Sequence, residues 1–129
     1  MEYVADTVAI VRHFAKVGKI GKAAKEILRD ADNGQHTIMI SIISLVEILY
    51  LAERHKIPLD FDVVKFQLRH LDNYKIIDLD LDIVETAKHV QGLELHDRLI
   101  VASALSLQVP MLTCDQVIQD AGLVTTIWK

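Results

Sequence analysis

Four acidic residues stand at places where this chain is otherwise apolar: Asp6, Glu47, Asp97 and Asp115. Two follow short apolar runs, one interrupts an apolar stretch, and one precedes such a stretch. A carboxylate buried among apolar side chains is unfavourable unless a hydrogen-bond partner or a cation compensates it. Carboxylate oxygens are the ligands that Mg²⁺ and Mn²⁺ prefer. The placement therefore predicts one divalent-metal site, of a kind that suits phosphate chemistry.

A purely structural role is the alternative for three of these acids. Asp6, Asp97 and Asp115 each precede a predicted helix, and an N-cap carboxylate stabilises a helix by about 1 kcal/mol. Glu47 lies inside a predicted helix, where its candidate salt-bridge partner is Arg54, two turns later. If all four acids converge, each pair about 5 Å apart repels by roughly 3 kcal/mol at an effective dielectric constant of about 20. Such a cluster needs a counter-ion.

Apolar patterns predict the elements that must position these acids. Short β-branched or apolar runs predict strands, and runs with helical periodicity predict helices. Strands that alternate with helices form a parallel sheet covered on both faces, which is an α/β fold. The predicted strands are 3–5, 37–40, 74–79, 111–113 and 125–128, and the predicted helices are about 8–15, 22–31, 41 or 44 to 55, 61–71, 83–90 and 97–107.

The order of these elements places the four acids at one edge of the predicted sheet. Ligands of open parallel sheets bind beyond the carboxyl ends of the strands. Asp6 and Asp115 follow predicted strands and so lie at this edge. Right-handed crossovers start their helices at the same edge, which brings Glu47 and Asp97 within reach.

The overall composition indicates a single globular domain over residues 1–129, with 51% hydrophobic and 25% charged residues. A formal net charge of −4 excludes a protein that holds nucleic acid through overall positive charge, but it allows a local basic rim. The single cysteine, Cys114, cannot form an intrachain disulfide. The longest apolar stretch is too short to span a bilayer. We therefore expect a soluble, cytoplasmic protein that does not associate with membranes.

The surroundings of the four acids resemble the PIN domain, and in particular the VapC-like ribonuclease toxins of type II toxin–antitoxin systems. The resemblance covers nearly the whole chain. Its motifs, in this order, are YVADT at 3–7, ISIISLVEILY at 40–50, HDRLIVASAL at 96–105 and LTCD at 112–115. The resemblance implies a PIN-like three-layer α/β/α sandwich with a short, mainly parallel central sheet.

The same resemblance implies an endoribonuclease that depends on Mg²⁺ or Mn²⁺ and hydrolyses RNA phosphodiester bonds. Asp6 and Asp97 are then expected to be principal metal ligands. Asp115 is expected to be a ligand directly or through water, and Glu47 a ligand or an organiser of metal-bound water. A homodimer and a small cognate antitoxin protein are also implied. The side chains expected to position the ligands are Thr7, Ser44 and Thr113.

Because the acids themselves repel RNA, a basic rim is expected to hold its backbone. The chain departs from the PIN pattern at Val8, where many relatives have a small polar residue, and at Gln116, near which some have a further acid. The second departure leaves the number of metal ions open. His96 neighbours Asp97, but adjacent helical residues point apart, so His96 is not expected to be catalytic. The candidates for the rim are Arg12, Lys22, Lys25 and Arg98.

Two other functions are alternatives. The first is a PIN-fold module that binds RNA or a protein without catalysis. The second is a phosphoacceptor receiver domain, also an α/β fold with acids at strand ends, in which Asp78 or Asp80 would accept the phosphoryl group. Receiver domains pair acids near the end of the first strand. Here Asp6 has no acidic neighbour, and Glu47 would have no role.

Overall fold

A computed structural model describes all 129 residues. Its strands are β1 Glu2–Ala5, β2 Thr37–Ser41, β3 Tyr74–Ile77, β4 Met111–Leu112 and β5 Thr126–Ile127. Its helices are α1 Thr7–Ala15, α2 Lys22–Asp32, α3 Ile42–Glu53, α4 Phe61–His70, α5 Leu81–Lys88, α6 Leu95–Leu107 and α7 Gln116–Ala121. The alternation of strands and helices confirms the predicted α/β fold.

The five strands form one sheet in the order β3-β2-β1-β4-β5, and every neighbouring pair is parallel. The carboxyl ends of all the strands therefore lie at the same edge. This order contradicts the receiver-domain alternative, because receivers place their third strand beside the first. Here β3 is an edge strand that pairs only with β2. Asp80, which follows it, accepts the Ile83 N–H at 2.8 Å as the N-cap of α5.

Side chains of the sheet alternate between its two faces, and helices cover both. Tyr3 and Ala5 of β1 pack in a core with residues of α1, α2, α3 and α4. Val4, between them, packs with Met39 against α6 and α7 on the other face. This is the alternation that an extended strand imposes. The three-layer α/β/α arrangement is thus confirmed.

Several predicted boundaries differ from the structure. The third strand ends at Ile77 rather than 79, and the last two strands contain two residues each. The helix α7 was not predicted, because six residues are too few to show helical periodicity. Helix α6 begins at Leu95, so Asp97 lies in its first turn. None of the helices is long and apolar enough to cross a membrane.

The end of the chain holds the start of α2. The Trp128 carbonyl accepts the Ala24 N–H at 3.2 Å. Gly21, the N-cap of α2, lies so close that a Cβ there would be 2.0 Å from the Trp128 oxygen. Only glycine permits this approach of two backbone segments. The contact fixes where α2 presents its basic side chains.

Candidate active site

Asp6 is the most buried of the four acids, with 6% of its surface exposed at the end of the central strand β1. Its Oδ1 accepts the Ala9 N–H at 2.9 Å, so Asp6 is the N-cap of α1. Burial is the main reason why the pKa of this carboxyl is raised from 3.8 to about 6. Hydrogen bonds from Thr113 and Ala9 lower this pKa, and the charges of Asp97 and Asp115 raise it.

Asp97 and Asp115 lie close enough to Asp6 for their charges to act on it. Asp97 belongs to the first turn of α6, and Glu94 is the N-cap of that helix. Asp115 is the N-cap of α7 and accepts the N–H of Val117 at 2.8 Å. The capping alternative therefore holds for Asp6 and Asp115 and is wrong for Asp97.

The fourth acid, Glu47, belongs to the same electrostatic group. Burial raises the pKa of Asp97, and the charges of Asp115 and Glu47 raise it further. The charges of Asp97, Asp115 and Glu47 thus each act on the ionisation of Asp6 or Asp97. The four acids are therefore close enough at the carboxyl edge of the sheet to interact through their charges.

Glu47 is held by side chains from other elements. The Thr7 hydroxyl donates to Glu47 Oε1 at 2.6 Å and lies 2.9 Å from Ser44 Oγ. Since a hydroxyl has one proton, Thr7 donates to the carboxylate and accepts from Ser44. On the other side, His96 Nδ1 lies 3.7 Å from Glu47 Oε2. Glu47 is therefore oriented between α1 and α6.

The proposed partnership of Glu47 with Arg54 is wrong. Arg54 places its guanidinium carbon 3.6 Å from the centroid of the Tyr50 ring, one helical turn earlier on α3. A cation–π contact of this kind competes with a salt bridge to a more distant acid. Nor is Glu47 fully buried, since 29% of its side chain is exposed. It borders a pocket of about 310 Å³ whose other walls are Val46, Tyr50, Leu51 and His96.

His96 is a site residue to which the sequence does not point. It neighbours Asp97 on α6, and local geometry alone would turn the two side chains apart. The packing of α3 against α6 brings Glu47 to His96. The charge of His96 also lowers the pKa of Asp97. The one signal in the sequence is that His96 lies next to Asp97, at the start of the predicted helix.

Of the three side chains predicted to position the ligands, Thr7 and Thr113 hydrogen-bond acids directly, and Ser44 hydrogen-bonds Thr7. Thr7 and Ser44 form the chain of hydrogen bonds that ends at Glu47. The Thr113 hydroxyl accepts the Asp115 N–H at 3.1 Å and hydrogen-bonds Asp6. Ser44 and Thr113 are fully buried. These hydroxyls therefore form two separate hydrogen-bonded groups, one that ends at Glu47 and one that contains Asp6 and Asp115, and Asp97 belongs to neither.

The donor set fits a hard divalent cation, because it consists of carboxylate oxygens with hydroxyls behind them. The four acids are nevertheless not arranged as a ready ligand shell. No group of three histidine, cysteine, aspartate or glutamate side chains is close enough to hold a metal ion as it stands. Mutual repulsion favours such separation.

The four basic candidates separate into two groups. Lys22 and Lys25 are exposed on α2, and Arg12 on α1 lines the same pocket as Lys25. Arg98 instead uses Nε and Nη2 to donate to the Ala87 carbonyl, both at 3.2 Å. Arg98 therefore ties α6 to α5, and its remaining donors are fewer than those of a free guanidinium.

The family model of the PIN domain matches residues 3–123. The chain belongs to the PIN domain family. A chain of the VapBC2 complex of Rickettsia felis, bound to a promoter DNA fragment, is 18% identical with a TM-score of 0.73 over 100% of both chains. A chain of a toxin–antitoxin complex from Klebsiella pneumoniae is 21% identical with a TM-score of 0.66 over 96% of both.

A third solved structure, the PIN domain endonuclease Utp24, is 13% identical with a TM-score of 0.51 over 93% of this chain and 75% of that chain. At such identities, these similarities establish a shared PIN fold. Comparison with curated protein sequences gave no match. The roles of individual residues must therefore be argued from the geometry of this PIN domain itself.

Proposed function

We propose that this PIN domain is a Mg²⁺- or Mn²⁺-dependent endoribonuclease. The observation that carries the proposal is the group of four acids at the carboxyl edge of the sheet, in which the charges of Asp97 and Asp115 raise the pKa of the buried Asp6, and those of Asp115 and Glu47 raise the pKa of Asp97. Such a group is unfavourable for stability and is expected where a cation must be bound. Membership of the PIN family, which includes an endonuclease among the similar structures, supports a nuclease.

Within this proposal, Asp6 and Asp97 hold the metal ion, Asp115 assists directly or through water, and Glu47 orients water. When bound, the metal ion supplies charge stabilisation for the phosphate and a water of lowered pKa. Glu47 is suited to orienting water because Thr7 holds its Oε1 by a hydrogen bond. Its Oε2 is not held by Thr7 and lies near the half-exposed His96. Ser44 and Thr113 keep these carboxylates in position.

The RNA strand is held by basic side chains outside the acids. Arg12, Lys22 and Lys25 remain our candidates, since they lie on neighbouring helices α1 and α2. Arg98 is retained with a smaller role, because part of its guanidinium is bound to the Ala87 carbonyl. Contacts of this kind position the phosphate backbone and carry little sequence information.

We further propose that the protein is the toxin of a toxin–antitoxin pair, with a small antitoxin protein as its partner. Support comes from the two similar structures that belong to VapBC or toxin–antitoxin complexes and match nearly the full length of both chains. A homodimer is part of the same proposal. The exposed apolar side chains of α3 are a surface on which two copies could associate.

The decisive experiment is cleavage of structured and unstructured RNA by purified protein in Mg²⁺ or Mn²⁺, with a chelator control. Asp97→Asn is expected to lower the rate by about a hundredfold or more, because loss of a ligand removes several kcal/mol of transition-state stabilisation. The matched control is Asp82→Asn, since Asp82 also lies in the first turn of a helix. Equal rates for Asp97→Asn and the unmodified protein would contradict the proposal.

A module that binds RNA or protein without catalysis is the second candidate. It is favoured by one observation, namely that no three acids are close enough to hold a metal ion as they stand. Calorimetric titration with Mn²⁺ separates the two candidates. Binding that disappears in Asp6→Asn supports the nuclease, and absence of both metal binding and cleavage supports the non-catalytic module.

A further inference from the structure

The positive charge of this acidic protein is concentrated in one stretch. Six of its 14 lysines and arginines lie between Arg12 and Arg29, where Glu26 is the single acid, although the whole chain has a formal net charge of −4. The stretch covers the end of α1, the connection 16–21 and most of α2. A local potential of the opposite sign to the overall charge marks a surface that attracts anions.

These residues enclose a pocket rather than a flat patch. Its volume is about 400 Å³, within the range of roughly 300–1,000 Å³ that is usual for small-ligand sites. Only two of its lining residues, Val17 and Ile20, are apolar. The cationic side chains that line it are Arg12, Lys16, Lys25 and Arg29.

The charge of the pocket is not neutralised from within. None of its four lysines and arginines forms an ion pair with a carboxylate. The one acid in the pocket, Asp32, already accepts the Tyr74 hydroxyl at 2.6 Å and lies 3.1 Å from His13 Nε2. Convergent cations repel one another, and a bound anion relieves that repulsion.

Arg12 connects the pocket with the four acids. Its Nη1 donates to the Lys19 carbonyl at 2.8 Å, which orients the guanidinium. Gly18 packs so closely that a Cβ there would lie 3.0 Å from Arg12 Nε. Along α1, Arg12 is six residues beyond Asp6, a rise of about 9 Å.

We propose that this pocket binds phosphate groups of a single RNA strand, at nucleotides beyond the one whose phosphate is held at the four acids. The inference rests on the proposed nuclease function and names the part of the substrate that is gripped. Guanidinium and ammonium groups match phosphate oxygens. An acidic polypeptide is less well suited, because protein partners usually anchor through apolar side chains and this pocket has few.

The test compares two matched double variants. Lys25→Gln with Arg29→Gln removes two pocket cations spaced four residues apart on α2. Lys65→Gln with Arg69→Gln removes two cations with the same spacing on α4, outside the pocket. Binding of a fluorescent single-stranded RNA is measured by anisotropy in EDTA at several salt concentrations, so that no cleavage occurs. Competition by polyglutamate is measured in parallel.

The pocket variant is expected to bind RNA about 25-fold more weakly at about 0.1 M salt, with a salt slope smaller by about 1.4, since each single-strand phosphate contact contributes about 0.7 to the slope. The α4 variant is expected to match the unmodified protein. Equal losses of RNA affinity in both variants, or no loss in the pocket variant, would overturn the proposed role of the pocket. So would loss of polyglutamate binding in the pocket variant with RNA binding intact, since the pocket would then serve an acidic polypeptide.

The outcomes separate the pocket from the nuclease. If the unmodified protein cleaves RNA in Mn²⁺ while both double variants bind RNA alike, the pocket is wrong and the nuclease stands. If RNA binding depends on Lys25 and Arg29 but no metal condition gives cleavage, the pocket stands and the nuclease fails. Circular dichroism spectra of the variants check that the fold is retained, since all four side chains are exposed.

Discussion

At the scale of single residues, Thr7 follows Asp6 in the chain and hydrogen-bonds Glu47, 41 positions after Asp6. Its hydroxyl donates to Glu47 at 2.6 Å, so a movement of the start of α1 would displace both carboxylates. A hydrogen bond to a charged acceptor is stronger than one between neutral groups. Position 7 thereby couples the buried acid at the end of β1 to the half-exposed acid on α3.

Replacing Thr7 with valine tests this coupling. Valine keeps the shape of threonine but cannot donate, so Glu47 loses its shortest hydrogen bond and Ser44 loses an acceptor. We expect RNA cleavage to fall by about 10- to 100-fold, as for other residues that orient a metal site. Thr7→Ser, which keeps the hydroxyl, is the control. Similar rates for the two variants would show that packing, not the hydrogen bond, matters at position 7.

The ionisation of Asp6 makes the fold less stable at neutral pH. Its folded-state pKa of about 6 lies above the unfolded value of 3.8, so the folded protein binds the proton more tightly. The stabilisation from this group is fully present below about pH 3.8 and is lost as the pH rises through 6. Ionised Asp6 then costs at most about 3 kcal/mol, because one pKa unit corresponds to about 1.4 kcal/mol.

Asp6→Asn is therefore expected to stabilise the metal-free protein at pH 7.5 and to have little effect at pH 4. Asparagine retains the N-cap acceptor for the Ala9 N–H, so α1 does not lose its cap. Thermal unfolding with EDTA at both pH values measures the difference. Asp72→Asn, at an exposed acid, is the control. If Asp6→Asn lowers the melting temperature at pH 7.5, the burial cost assigned to Asp6 is wrong.

At the scale of elements, most of the fold could be predicted because apolar periodicity and β-branched runs are local signals. The two-residue strands and α7 were misjudged, since their pairing and packing are tertiary and their length is below that of any periodic pattern. The site shows the same division. Asp6 and Asp115 could be placed from the strands they follow. The contact of Glu47 with His96 could not be predicted, because it depends on how α3 packs against α6. Nor could the cation–π contact of Arg54 with Tyr50, which replaces the predicted salt bridge between Arg54 and Glu47.

The junction of α2 with the last strand is an element contact that the sequence does not reveal. At Gly21, a methyl group would meet the Trp128 carbonyl, so Gly21→Ala must displace one of the two segments. We expect a loss of unfolding free energy of about 1–3 kcal/mol in urea denaturation. Gly92→Ala is the comparison, because its φ of +82° also disfavours alanine but nothing lies within 4 Å of its Cβ. A smaller loss at Gly21 than at Gly92 would argue against a tight junction.

At the scale of the whole molecule, charge and apolar surface are distributed unevenly, and both distributions bear on what the PIN domain binds. The stretch 12–29 has a net positive charge, whereas the remainder of the chain is strongly acidic. A polyanion is therefore attracted to one side of the molecule and repelled elsewhere. The apolar surface of α3, exposed at Val46, Leu49 and Tyr50, borders the same site through Glu47.

The proposed homodimer is expected to form through α3. Leu49 is 38% exposed there between Val46 and Tyr50, so Leu49→Lys places a charge in the middle of that apolar surface. A desolvated, unpaired charge opposes association, and we expect the dissociation constant from sedimentation equilibrium to rise by at least about tenfold. Phe66→Lys, at a 61% exposed side chain of α4, is the matched control. If Phe66→Lys dissociates the dimer and Leu49→Lys does not, the two copies meet through α4, and the assignment of the interface to α3 is wrong.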